Sequence, residues 1–167
     1  MITNLTVEHT KHRLKEPFIT AIRRVESIDT LVVTIETDEG IKGIGAASPT
    51  LKITGDSLKS IASCILGPIK EAMVGKPVQS LELLTTSVRN CCMGNSSAKA
   101  AVDMAIYDLF AKKAGQPLYE FLGGYRNELT TDMTLSIGEE SAMAEKAVSL
   151  IQAGFQTLKI KLGGKSN

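Results

Sequence analysis

The sequence predicts an α+β domain followed by the opening of an α/β domain, and three observations carry that prediction. Strand patterns occupy residues 1–45, and helix patterns then run without interruption to Gly123. After Gly123 the order changes to strand, helix, strand, which makes one βαβ unit with two parallel strands. The change falls near Gly123 to Asn127, so the chain divides into residues 1–125 and residues 126–167.

In the first part, "ITNLTVEHTKHRL" alternates moderately, with Ile2, Leu5, Val7 and Leu14 as its apolar members. "TLVVTIET" is a β-branched run, "DEG" supplies turn chemistry, and a short return strand starts at Ile41. Between these, "KEPFITAIRRVES" opens on a proline and shows no period, which predicts a loop. A helix begins at Asp56 or Ser57, either of which can cap it. Its apolar face is Leu58, Ile61, Ile65, Leu66, Ile69 and Met73, and Pro68 is placed to kink it. A second helix covers about Leu81 to Cys92. The strongest helix is "SSAKAAVDMAIYDLFAKKAG", capped by Asn95 or Ser96. Ala101, Met104, Ala105, Asp108 and Leu109 are spaced to share one side of it, and Gly115 ends it. "PLYEFLGG" adds one short turn.

In the second part, "LTTDMTLSI" reads as a strand, "GEESAMAEKAVSLIQAG" as a helix closed by Gly154, and "FQTLKIKLGG" as the second strand. Side chains two apart on a strand share a face. Lys159 and Lys161 therefore point one way, while Leu158, Ile160 and Leu162 point the other. One reading is an amphipathic strand with solvated lysines. The other places the strand in a (β/α) barrel, whose inward face carries functional groups near the strand's C-terminal end. Two ammonium groups held close disfavour each other's charge, which suits one of them to act as a base.

Composition removes other classes. The chain has 167 residues, 43% hydrophobic and 22% charged, with a net charge of +1 and no Trp. No basic stripe or aromatic platform points to nucleic acid. No basic amphipathic helix or long apolar run points to a membrane. The N-terminus lacks the apolar core of a secretory signal. Three cysteines, Cys64 and the adjacent Cys91 and Cys92, suit reduced thiols in a cytoplasmic protein better than a disulfide framework. His9 and His12 are three apart in a strand and so lie on opposite faces, which makes no metal site. "GIG" at 43–45 does not open a helix, as a dinucleotide loop must.

Four stretches together resemble one family. "TLKIKLGG" resembles the K-x-K strand of the enolase superfamily in its muconate lactonizing branch. "PFITAIRR" resembles that branch's mobile loop over the active site. "SPTLKITGDS" resembles its second capping-domain loop, in the form found in dipeptide epimerases acting on Ala-Glu. "SSAKAAVDMAIYDLFAKKAGQPLYEFLGG" resembles the helix pair that closes the capping domain. The resemblance covers essentially the whole chain and implies an enolase-like capping domain followed by the first βαβ unit of an incomplete (β/α) barrel.

It also implies a chemistry. Such enzymes remove a proton from the carbon next to a carboxylate, with Mg²⁺ stabilising the enediolate. In the epimerases, a lysine on each face lets the proton leave one side and return to the other. By resemblance, Lys161 is the first catalytic lysine and Lys159 its neighbour, which perturbs it and touches the substrate carboxylate. Arg23 corresponds to the loop arginine that binds a glutamyl side-chain carboxylate, a task suited to a guanidinium fork. Thr134, at the end of the first barrel strand, faces the substrate, and Ile53 with Thr54 belongs to the second substrate loop.

Two departures qualify the resemblance. Ala46 stands where the family usually carries a glutamate, and Arg24 beside Arg23 leaves two candidates for the carboxylate. The family's metal ligands and second lysine belong to later barrel strands. A whole barrel takes about 250 residues, and about 40 follow Leu129 here. The expectation is the N-terminal portion of an isomerase, most like an Ala-Glu epimerase, inactive by itself and without Mg²⁺ ligands of its own. Its partner is a small-molecule carboxylate, with self-association through Leu158, Ile160 and Leu162. The alternatives are a cycloisomerase or related lyase of the same branch, or a non-catalytic capping module.

Overall fold

The structure, a computed structural model, describes residues 1–20 and 23–163. The chain forms two compact units, one of residues 1–11 with 29–125 and the other of residues 12–28 with 126–167. Two strands contribute to both units, β1 (Ile2–Thr20) and β2 (Arg23–Thr37). They replace the loop expected for "KEPFITAIRRVES". Strand pairing supplies there the order that local periodicity does not. Pro17 is tolerated because β1 lies at the edge of the sheet, whose order is β1-β2-β3. Ala21 and Ile22, within the "PFITAIRR" stretch, lie outside the described residues.

In the first unit, β2 pairs antiparallel with β3 (Lys42–Ala47), from Leu31 opposite Ala47 to Glu36 opposite Lys42. The turn between them uses Gly40 at φ 76°, the left-handed conformation that glycine adopts without steric cost. On β3, Gly43, Gly45 and Ala47 face inward and are buried. A methyl group at Gly45 would come within 1.9 Å of the Ala101 carbonyl oxygen, and one at Gly43 within 2.1 Å of that of Ala105. "GIG" is thus the seat of a helix packed at backbone distance. That helix, described below, presents Ala101, Ala105 and Leu109 fully buried.

The helices of this unit begin with a single turn, α1 (Leu51–Thr54), inside "SPTLKITGDS". Helix α2 (Leu58–Cys64) is capped by Ser57, whose side chain accepts from the Ser60 amide while the Ser60 side chain accepts from the Ser57 amide. A π-helical segment, Ile65–Ile69, follows, with Gly67 at φ −99° and ψ −107° before Pro68, and α3 (Lys70–Met73) continues from it. Ile61, Ile65, Ile69 and Met73 are fully buried, as their spacing predicts. Leu66 is not, because it follows Ile65 directly and turns away from the same side, leaving it about half exposed.

Helix α4 (Leu81–Asn90) is capped by Ser80, whose hydroxyl accepts from the Leu83 amide at 3.3 Å. Helix α5 (Ser96–Lys113) is the longest, and α6 (Leu118–Phe121) is a single turn. Neither Asn95 nor Ser96 caps α5 with its side chain. The buried carboxylate of Asp56 accepts from the Ser97 amide at 3.0 Å instead. Met104 also departs from expectation. It is nearly half exposed, because α5 turns a narrow side of small residues toward β3. Asp108 is fixed by the fold, its Oδ2 accepting from the Ile44 amide at 2.7 Å.

The second unit contains β4 (Met133–Leu135), α7 (Glu140–Gln152) and β5 (Leu158–Ile160). The two strands are parallel, and α7 packs on β4. Both strands are shorter than their apolar patterns, since paired backbone spans only three residues of each. No helix among the described residues is long and apolar enough to cross a membrane.

Candidate active site

Register decides which side chains meet in the second unit. Thr134 pairs with Lys159, and the ladder continues as the Lys161 amide donates to the Leu135 carbonyl at 3.1 Å. Paired residues of parallel strands share a face, so Thr134, Lys159 and Lys161 stand on one side of the sheet. Met133, Leu135, Leu158 and Ile160 stand on the other side, and Leu135 is buried there. Lys159 is exposed, whereas Lys161 and Thr134 are half-buried. The structure thus brings together three of the residues singled out from sequence.

The arms of β1 and β2 in this unit add further groups. The Ile19 amide donates to Ser136 Oγ at 3.4 Å, and Lys146 Nζ pairs with Glu16 Oε1 at 2.6 Å. Phe18 places its ring centroid 4.1 Å from Lys161 Nζ. A shallow cleft of about 170 Å³ is lined by Glu16, Pro17, Thr134, Ser136, Met143 and Lys146, among others. Phe18 and Ser136 were not singled out from sequence. The only signal for Phe18 was its place in "PFITAIRR", one residue after a proline.

Strand alternation separates the two arginines. Arg24 and Glu26 are two apart on one exposed face, where Arg24 Nε binds Glu26 Oε1 at 3.0 Å. Arg23 lies on the opposite, half-buried face, and its backbone is held by Thr20, whose hydroxyl meets both the Arg23 amide (3.2 Å) and its carbonyl (3.3 Å). No carboxylate among the described residues pairs with the Arg23 guanidinium.

Ile53 and Thr54 belong to the first unit and lie on α1 and at its end. Ile53 is exposed, and Thr54 Oγ1 donates to the Thr50 carbonyl at 3.3 Å. A cavity of about 440 Å³ in the first unit, beside Lys76, Leu83 and Ser87, contains none of the candidate residues.

Of the cysteines, Cys64 is buried, with its sulfur 3.5 Å from that of Cys92, and all three are free thiols. Burial, with the Cys92 thiol as a second cause, pushes the Cys64 thiol up to about 12, so it stays protonated and inert at neutral pH. Among the described residues no group of three or more His, Cys, Asp or Glu could hold a metal ion. These residues do not fit a Mg²⁺ site.

Residues 2–123 match the mandelate racemase / muconate lactonizing enzyme N-terminal domain. The chain is 43% identical to the L-Ala-D/L-Glu epimerase of Clostridium acetobutylicum over 163 residues, covering 98% of this chain and 46% of that protein. Its fold matches the substrate-liganded complex of the L-Ala-D/L-Glu epimerase from Bacillus subtilis with a TM-score of 0.95 and 43% identity, over 99% of this chain and 46% of that one. It matches the dipeptide epimerase of Enterococcus faecalis, complexed with Mg and L-Leu-L-Tyr, with a TM-score of 0.92 and 40% identity, over 98% and 46% of the two chains. The chain therefore spans less than half the length of these relatives. The fold is that of the enolase-like capping domain with the first βαβ unit of the barrel.

Proposed function

The chain belongs to the mandelate racemase / muconate lactonizing enzyme family, and from that premise we propose that it is the N-terminal portion of a dipeptide epimerase acting on Ala-Glu or a close analogue. In this reading residues 1–125 cap the site, and residues 126–167 open the barrel that holds it. The observation that carries the reading is the shared face of Thr134, Lys159 and Lys161.

Lys161 takes the proton from one face of the carbon next to the carboxylate and becomes the ammonium. The proton that completes epimerisation arrives on the opposite face, from an acid in parts of the full-length protein beyond the residues described. Lys159, two residues back on the same face, holds the substrate carboxylate. Thr134 offers a hydroxyl beside them. Arg23 receives the glutamyl side-chain carboxylate, since Arg24 is already paired with Glu26. Ile53 and Thr54 contribute to the second substrate loop. Mg²⁺, present in related dipeptide complexes, belongs in this reading to parts of the full-length protein beyond the residues described.

The test is incubation of the full-length protein with L-Ala-L-Glu, following formation of L-Ala-D-Glu by optical rotation. Arg23→Met is expected to raise KM for this dipeptide roughly 10- to 100-fold, the value of a lost charged hydrogen bond. Arg24→Met is expected to change it little. Turnover of cis,cis-muconate in place of the dipeptide would assign the chain to a cycloisomerase instead.

A further inference from the structure

Both lysines of the β5 face carry long, freely rotating side chains, so the strand alone does not fix where either ammonium sits. Lys161 differs from Lys159 in having an aromatic ring against it. The Phe18 ring centroid is 4.1 Å from Lys161 Nζ, well inside the range at which a ring face attracts a cation. We propose that Phe18 is a positioning residue for the proposed reaction, its ring fixing the ammonium of Lys161 on the face shared with Thr134.

Two contacts of the second unit support the segment that carries the ring, and a third holds the lysine. The Ile19 amide, adjacent to Phe18, is held by Ser136 Oγ at 3.4 Å, just past the end of β4. Glu16, two residues before Phe18, is held by Lys146 on α7 at 2.6 Å. The backbone of Lys161 is itself held by Leu135 at 3.1 Å. Ring and lysine are thus both anchored to β4 or to the helix packed on it, with the flexible part of Lys161 spanning the gap.

The chemistry of the contact has a direction. A ring face attracts the ammonium and not the neutral amine. Phe18 therefore attracts the Lys161 side chain while that side chain carries a proton, and the contact weakens once the proton has left. The side chain is then released toward the substrate carbon as a base and recaptured when it regains a proton. No bond is made or broken by Phe18: Lys161 gives its resting proton to solvent, takes the Cα proton of the substrate as the neutral amine, and returns to the ring as the ammonium.

The inference rests on the proposed epimerase reading, so the test has two arms that fail separately. In the first, ¹³C-labelled lysine in the 167-residue chain is observed by NMR, with the Lys161 signal assigned by its loss in Lys161→Arg. The protons next to the Lys161 nitrogen are expected upfield of the other lysines, shifted by the ring. Phe18→Leu should return them to the lysine cluster, and Phe18→Tyr should keep them upfield. A Lys161 signal within the cluster in the unaltered chain, or one unmoved by Phe18→Leu, overturns the inference.

The second arm measures turnover of L-Ala-L-Glu by the full-length protein. Phe18→Leu is expected to lower kcat roughly 10- to 100-fold with KM nearly unchanged, as for a misplaced catalytic group, and Phe18→Tyr to restore it. A change confined to KM, or no rescue by Tyr, contradicts positioning. If the unaltered protein turns over no dipeptide, the epimerase reading fails, and with it the catalytic role of the contact, while the NMR arm still decides whether the ring fixes the lysine.

Discussion

The two units bury their apolar residues to very different degrees. In the first, the core runs from Ile2 and Leu5 on β1 through Val33 and Ile35 on β2 to Ile61, Ile65, Ile69, Ala105 and Leu109, with essentially no exposed surface. In the second, Leu135 and Leu150 are the buried hydrophobic residues among those described, while Leu162 is 85% exposed and Ile160 57%. The candidate reactive groups show the reverse distribution, since Lys159, Lys161, Thr134 and Arg23 all belong to the second unit. One unit is organised by close packing and the other by placement of charge. Substitutions in the first should therefore be read out in stability, and those on the lysine face in chemistry.

The largest effect on stability is expected at Gly45. A methyl group there meets the Ala101 carbonyl at 1.9 Å, and neither backbone can move without separating β3 from α5. Gly45→Ala should cost about 3 kcal/mol or more, seen as a lower urea midpoint. Ile160→Ala, on the exposed strand face, should cost no more than about 0.5 kcal/mol. Similar losses at the two positions would break the contrast between the units.

Asp56→Ala comes next. It leaves the Ser97 amide at the start of α5 without its acceptor, at a cost of about 1–2 kcal/mol. Asp56→Asn keeps an acceptor and should recover most of it.

An effect confined to strongly alkaline solution is expected at Cys64. The Cys64 thiol is raised in the folded chain from 9.0 to about 12. Because the folded pKa lies above the unfolded one, the unfolded chain ionises first. The contribution is complete below pH 9 and is lost progressively between pH 9 and about 12. Cys64→Ala should flatten that part of the stability profile, and Cys64 in the folded chain should resist iodoacetamide at neutral pH.

Much of this organisation was legible in the sequence where a short period carries it. The alternation of Lys159, Ile160 and Lys161 fixes which lysines share a face, and the 3.6-residue spacing of Ile61, Ile65, Ile69 and Met73 marks a buried stripe. What the sequence concealed depends on partners far along the chain. Residues 15–20 and 23–27 show no period because their order comes from pairing between β1 and β2. Asp56 is adjacent to a helix it could cap, yet it serves a helix whose first residue is 40 positions later. Leu66 and Met104 fit the helical spacing but sit just beyond the edge of the buried stripe. Phe18 becomes significant only once Lys161 is beside it, 143 residues away in sequence.

The most direct measurement is deuterium exchange at the glutamyl Cα of L-Ala-L-Glu in D₂O, catalysed by the full-length protein and by its Lys161→Ala variant, with urea midpoints of both. Lys161→Ala is predicted to lower exchange by roughly 10²–10⁴-fold, the value of a removed general base, at an unchanged midpoint. Exchange that survives Lys161→Ala, or a loss that only follows a fallen midpoint, would contradict the assignment of the chemistry to the lysine face.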